Sequence, residues 1–96
     1  MKIQILQLTE GAKQATGIAV VIDVFRAFTT DCFIMNNGAE CIYPVGAVET
    51  AFRLKEENPD IILVGERNEI IVPGFDYGNS PANIEHTDFT GKTIVH

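Results

Sequence analysis

No stretch of the 96 residues comes near the ~20 consecutive apolar residues of a membrane span. The N-terminus, MKIQILQLTEG, is too polar and its apolar run too short for a signal peptide. Basic side chains are few: seven Lys and Arg against thirteen Asp and Glu give a net charge of -6. With no Lys/Arg cluster anywhere, nucleic acid is not expected as a partner. Cysteine is scarce as well, and Cys32 and Cys41 lack metal-ligand spacing, so they read as a reduced pair of small core residues. Repeats and low-complexity segments are absent. These absences predict a soluble cytoplasmic protein that engages neither membrane nor nucleic acid.

What remains is a chain that is 46% hydrophobic, enough for one small globular unit spanning residues 1–96. Its organising stretch is Ile18 to Thr30, IAVVIDVFRAFTT. The continuous apolar run Ile18–Ile22 predicts a strand covered on both faces, as in a parallel sheet flanked by helices. Asp23 falls where that strand should finish, and ligands in open α/β sheets bind just outside the carboxyl ends of strands. Arg26, Thr29 and Thr30 follow in the first turns of a helix, where free backbone N–H groups and the helix dipole favour an anion. An acid to hold a cation and an arginine to hold a phosphate, joined by one tight turn, point to phosphate chemistry. Read singly, Asp23 is as well explained as a helix cap and Arg26 as a surface residue.

The remaining segments alternate in kind. Lys2–Leu8 reads as a first strand, and Thr9–Gly17 as a connection. A helix over Phe25–Asn37 carries Phe25, Phe28, Cys32, Met35 and Ala39 at steps of three and four, a spacing that predicts its buried face. Cys41–Val45 reads as a strand, Ala47–Glu57 as a helix and Ile61–Val64 as another apolar strand. This last strand delivers Glu66 and Arg67 at its carboxyl end, a second acid–arginine pair. Strand and helix in alternation predict a three-layer α/β/α fold with a mostly parallel or mixed sheet. Right-handed crossovers would then set Asp23 and Glu66 on one edge of the sheet.

Residues 68–83, NEIIVPGFDYGNSPAN, are too polar for a core connection. Asn79-Ser80-Pro81 has the form of a capped helix start, and Asp76, Asn79 and Ser80 are placed to reach over the strand ends as a binding loop. A well-capped surface turn is the plainer account of the same residues. The chain closes on Thr93–Val95, which reads as the beginning of a fifth strand and predicts a truncated unit, the N-terminal part of a longer domain.

Taken together, VVIDVFRAFTT (Val20–Thr30) and GERNEIIVPGFDYGNSP (Gly65–Pro81) resemble the two signatures of the 2-phosphosulfolactate phosphatase family, the ComB-like proteins. The resemblance runs from about Ile18 to Val95. It implies a three-layer α/β phosphoric monoester hydrolase that depends on Mg²⁺ and converts 2-phosphosulfolactate to sulfolactate and phosphate, on the way to coenzyme M. It also implies a homo-oligomer. A third motif rich in Thr, Asn and Gly would be expected just after the strand that begins at Thr93. Phe25 and Phe28 stand where the family more often has Leu and Thr, and Glu69 where Gly is usual.

On this reading Asp23, Arg26, Glu66 and Arg67 form the catalytic group. Asp23, Glu66 and Asp76 would hold Mg²⁺, a hard cation that prefers carboxylate oxygens. Arg26 and Arg67 would grip phosphoryl oxygens, with Thr29, Thr30, Asn79 and Ser80 adding substrate contacts. The nucleophile stays open between Asp23 and a metal-bound water. Cys32 is disfavoured because it falls on the apolar stripe, and His86 and His96 are weak acid–base candidates. The alternative is a catalytically inactive α/β fragment that serves only as a phosphate-ligand binding or assembly module.

Overall fold

The computed structural model describes all 96 residues. Its elements, in order, are α1 (Leu8–Ala12), α2 (Ala27–Asn36), β1 (Cys41–Tyr43), α3 (Val48–Glu57), β2 (Ile62–Leu63), β3 (Glu66–Arg67), β4 (Ile70–Ile71), α4 (Pro81–Ile84) and β5 (Thr93–Val95). Strands β1, β5 and β2 form a parallel sheet with β5 in the middle. Ile94 of β5 faces Ile42 on one side and Ile62 on the other, and Val95 faces Tyr43 and Leu63. Strands β3 and β4 form a separate antiparallel hairpin. Parallel strands need crossover connections, and α3 supplies the one between β1 and β2.

Alternation along β5 divides the core in two. Ile94 points into a cluster with Ile34, Ala39, Val64, Ile84 and Phe89, under α2 and α4. Val95, the next residue, points the other way into Ala51, Ile61 and Leu63, under α3. Successive side chains of a strand lie on opposite faces, so a central strand flanked by helices must be apolar throughout, as Ile94 and Val95 are. The α/β class with helices on both faces of a mostly parallel sheet follows from this packing.

Three expectations are corrected. The Ile18–Asp23 segment is not a strand: it runs irregularly over the surface, with Val20 and Ile22 each 81% exposed. Its apolar character states a need for cover on two faces, and no element of this chain supplies that cover. Lys2–Leu8 likewise forms no strand, and Ile3 and Ile5 stand exposed. Of the predicted stripe only Ala39 is buried: Phe25 lies ahead of α2, Phe28, Cys32 and Met35 are exposed, and the buried side chains of α2 are Thr30 and Ile34. This helix is apolar around most of its circumference, so spacing alone fits several faces, and packing against α4 and β1 selects one of them.

Elsewhere the local signals act as expected. Helix α2 ends at Asn36, and Gly38 follows with φ +97°, the left-handed conformation that glycine adopts freely. A Cβ at Gly38 would lie 2.8 Å from the Thr90 hydroxyl, so the position is doubly closed to other residues. Helix α4 starts behind Ser80 with Pro81 in its first turn, although the Ser80 side chain makes no capping hydrogen bond. None of the helices is long and apolar enough to cross a membrane.

Candidate functional site

Each of the three parallel strands releases its chain at the same end of the sheet, and a cavity of about 190 Å³ lies there. After β1 come Val45, Ala47 and Val48; after β2 come Val64, Gly65, Glu66 and Arg67; after β5 comes His96; and all of them line it. Carboxyl ends of parallel strands are where α/β proteins place ligands. At this size the cavity falls below the roughly 300–1,000 Å³ of sites for drug-sized molecules, which suits a small ligand. A more open hollow of about 450 Å³ adjoins it, lined by Phe25, Arg26, Glu66, Glu69 and Asn79. Glu66 and Asn79 belong to both.

Two helices begin at the cavity. Ala27 is the first residue of α2, and Ala47 and Val48 open α3. The leading N–H groups of a helix lack intrahelical acceptors and carry the positive end of its dipole. Neither helix has a side-chain cap to occupy those donors. Arg67 adds a full charge. Its guanidinium donates to the carbonyls of Glu66 at 2.9 Å and Gly46 at 3.1 Å and makes no ion pair. Two carbonyls hold the group in place while leaving its charge uncompensated and several of its five N–H donors free.

Glu66 links the two acid–arginine motifs. One carboxylate oxygen takes a 2.9 Å bond from Arg26, and the other takes a 2.8 Å bond from the backbone N–H of Asn79. Its side chain is only 12% exposed, and a carboxylate so enclosed needs such partners. Gly78 makes the approach possible: a Cβ there would stand 2.7 Å from the Glu66 carboxylate and 2.6 Å from Ile71. Arg26 and Glu66 are therefore brought together, although no strand carries Asp23.

The other expected residues lie elsewhere. Asp23 is half-buried in the irregular segment and makes no side-chain hydrogen bond or ion pair. Asp76 turns away from the cavity, bound by the Leu63 N–H at 2.8 Å and by Lys55 at 2.9 Å. Thr29 donates to the Val24 carbonyl at 2.6 Å, and the Thr30 hydroxyl is buried without a partner. Ser80 precedes α4 and lines neither hollow. Mg²⁺ requires several oxygen ligands converging on one point, yet nowhere do three or more His, Cys, Asp or Glu side chains gather closely enough to hold a metal. As arranged, Asp23, Glu66 and Asp76 do not fit the ion.

One cluster was not legible beforehand. Nδ1 of His96 lies 2.5 Å from Asp31, and its Nε2 lies 2.8 Å from Oδ1 of Asn79. The side chain is 9% exposed. Asp31 is 65 residues away in the chain, so only the pairing of α2 with the end of β5 reveals the contact. A histidine directly after an apolar strand was the available signal. His86, by contrast, is exposed beside Glu85.

Comparison with known proteins places this geometry in context. Residues 3–96 match the family model described as 2-phosphosulpholactate phosphatase. A protein of Carboxydothermus hydrogenoformans named "Probable 2-phosphosulfolactate phosphatase" is 48% identical over 96 residues, covering 99% of this chain and 40% of that protein. Proteins with the same name from Thermoplasma volcanium (38% identical, 94% of this chain, 43% of that protein) and Bacillus subtilis (36%, 99%, 42%) are similar along nearly the same span. The chain thus spans about 40% of the length of these relatives.

Proposed function

The chain belongs to the 2-phosphosulpholactate phosphatase family, and from that membership we propose that its cavity binds the phosphoryl group of a small phosphorylated acid for hydrolysis. The substrate is 2-phosphosulfolactate, released as sulfolactate and phosphate. One observation carries the reading: an arginine with no ion-pair partner and two uncapped helix N-termini line one cavity at the carboxyl ends of the parallel strands. All of these favour a multiply charged anion.

In this proposal Arg67 and the leading amides of α2 and α3 take the phosphoryl oxygens. Arg26 stays fixed by Glu66 at the mouth, where the open hollow leaves room for the rest of the substrate. A water oxygen bonds to phosphorus as the ester P–O bond breaks, a proton of that water passes to the departing alkoxide, and preorganised donors hold the charge on the phosphoryl oxygens. Mg²⁺ dependence enters from the family resemblance alone, since Asp23, Glu66 and Asp76 stand apart. Self-association belongs to the same proposal.

A second reading, a module that binds the phosphorylated ligand without turning it over, is favoured by the dispersal of those three carboxylates. Calorimetric titration of 2-phosphosulfolactate into the chain tests what both readings share. Saturable one-site binding is expected, weakened about tenfold or more by Arg67→Ala through loss of a charge-assisted bond. A folded chain that binds no phosphate ester would contradict both.

A further inference from the structure

We infer that Asp31 and His96 are positioning residues which fix the Asn79 carboxamide with its NH₂ turned toward the cavity, so that anion binding depends on the proton held by His96. This rests on the phosphoryl reading of the cavity and extends it to residues that the two sequence motifs do not explain.

The geometry is a three-membered chain. His96 is anchored by its backbone, its N–H donating to the Tyr43 carbonyl at 3.0 Å and its carbonyl accepting from Val45 N–H at 2.8 Å. The ring therefore sits rigidly at the end of the central strand. Both of its nitrogens face oxygens, Asp31 on α2 and Oδ1 of Asn79. Only an imidazolium donates from both nitrogens. With Oδ1 engaged, the Asn79 amide nitrogen is left without a partner in the protein, on a residue that lines both hollows. The Asn79 backbone N–H is committed to Glu66, so the residue cannot swing away. An NH₂ group held there is a donor for a phosphoryl oxygen.

Loss of the proton reverses the arrangement. A neutral ring that keeps its Nδ1–H bond to Asp31 presents a bare Nε2 to Asn79. Two acceptors cannot share that contact, so the amide turns over, donates its NH₂ to the ring, and faces the cavity with its oxygen. The ring's positive charge disappears in the same event. Both changes oppose an anion. Of the ionisable groups around the ring, Asp31 touches it, while Glu66 and Arg67 share the cavity and Arg26 neutralises Glu66. Strand β1 and the loop after it meet His96 through main-chain groups of Tyr43 and Val45, which carry no charge.

The test is nitrogen NMR on the full chain, whose two histidines are separately assignable because His86 is exposed. The ligand-free readout is the Asn79 side-chain amide followed across pH. Its signal is expected to shift with the midpoint of His96 and not with that of His86. The shift should be lost in His96→Gln and displaced in Asp31→Asn. An Asn79 amide that ignores the His96 titration, or behaves identically in both variants, overturns the inference.

The second readout is sulfate affinity, chosen because this tetrahedral dianion keeps its charge over the range. Affinity should fall about tenfold or more from below to above the His96 midpoint, equivalent to one charge-assisted bond. His96→Gln should flatten that dependence. Sulfate binding that is unchanged across the midpoint in the wild-type chain overturns the inference. Failure to bind sulfate at any pH would count against the phosphoryl reading of the cavity, while the amide signal still decides the positioning role.

Discussion

Replacing Glu69 by glycine should stabilise the protein, although the substitution removes a side chain and adds unfolded-state freedom. Arg67 pairs with Ile70 across the β3–β4 hairpin, leaving Asn68 and Glu69 as a two-residue loop. Their φ angles are +52° and +63°. Positive φ at both central residues defines the type I′ turn, whose favoured sequence is Asn-Gly. Asn68 suits its place. Glu69 does not, because a side chain in the left-handed region costs about 1–2 kcal/mol through its Cβ. Glycine avoids that cost but loses roughly 0.5–1 kcal/mol more conformational entropy on folding. The net gain is about 0.5–1 kcal/mol. For a chain of this length that corresponds to a rise of about 2–8 °C in melting temperature. Urea unfolding should show a higher midpoint with an unchanged slope. Glu69 also shares the open hollow with Glu66, so relief of like-charge repulsion is a competing explanation. Glu69→Ala separates the two, since it removes the charge and keeps the Cβ. If Glu69→Ala stabilises as much as Glu69→Gly, or if glycine gives no gain, the turn-strain reasoning is refuted.

Two further outcomes follow from the structure. Gly78→Ala should displace the Glu66 carboxylate, which a Cβ would approach to 2.7 Å, and release Arg26. A lowered affinity for phosphate esters, with the parallel sheet intact by circular dichroism, is the expected result. Asp88 accepts two hydrogen bonds from Thr90, first from its hydroxyl and then from its backbone N–H, and these hold its carboxyl below the ordinary value of 3.8. A depressed carboxylate contributes stability that is present above its unfolded value and lost as pH falls through its folded one. Asp88→Ala should therefore be less stable than the wild-type chain at neutral pH, with the gap closing below pH 3.8.

How much of this could be read from the sequence depends on how local each cause is. Helix α3 and the Ser80–Pro81 helix start are set by short-range chemistry, and they appear where apolar patterning and the proline put them. The apolar run Ile18–Ile22 misleads because hydrophobicity registers a demand for burial and not the presence of a partner strand. Thr93–Val95 is the reverse case. Three residues that look like the margin of a strand form the centre of the sheet, since β1 and β2 both pair with β5. For the candidate site, the motifs supplied Arg26, Glu66, Arg67 and Asn79, and the fold gathers these four around two adjoining hollows. The contribution of α3 at Ala47–Val48 was hidden because backbone donors leave no mark on residue type. His96 reads in the sequence only as a weak acid–base candidate, and its contact with Asp31 was hidden by separation in the chain.

The most direct test of the central claim is phosphate release from 2-phosphosulfolactate by the full chain and by Arg67→Ala, with Mg²⁺ supplied or withheld by EDTA. Release by the wild-type chain, reduced about a hundredfold or more when the guanidinium is removed, is the predicted result and corresponds to roughly 2.7 kcal/mol of lost transition-state stabilisation. Wild-type release that Arg67→Ala leaves untouched, or no release from a folded chain, would contradict the account.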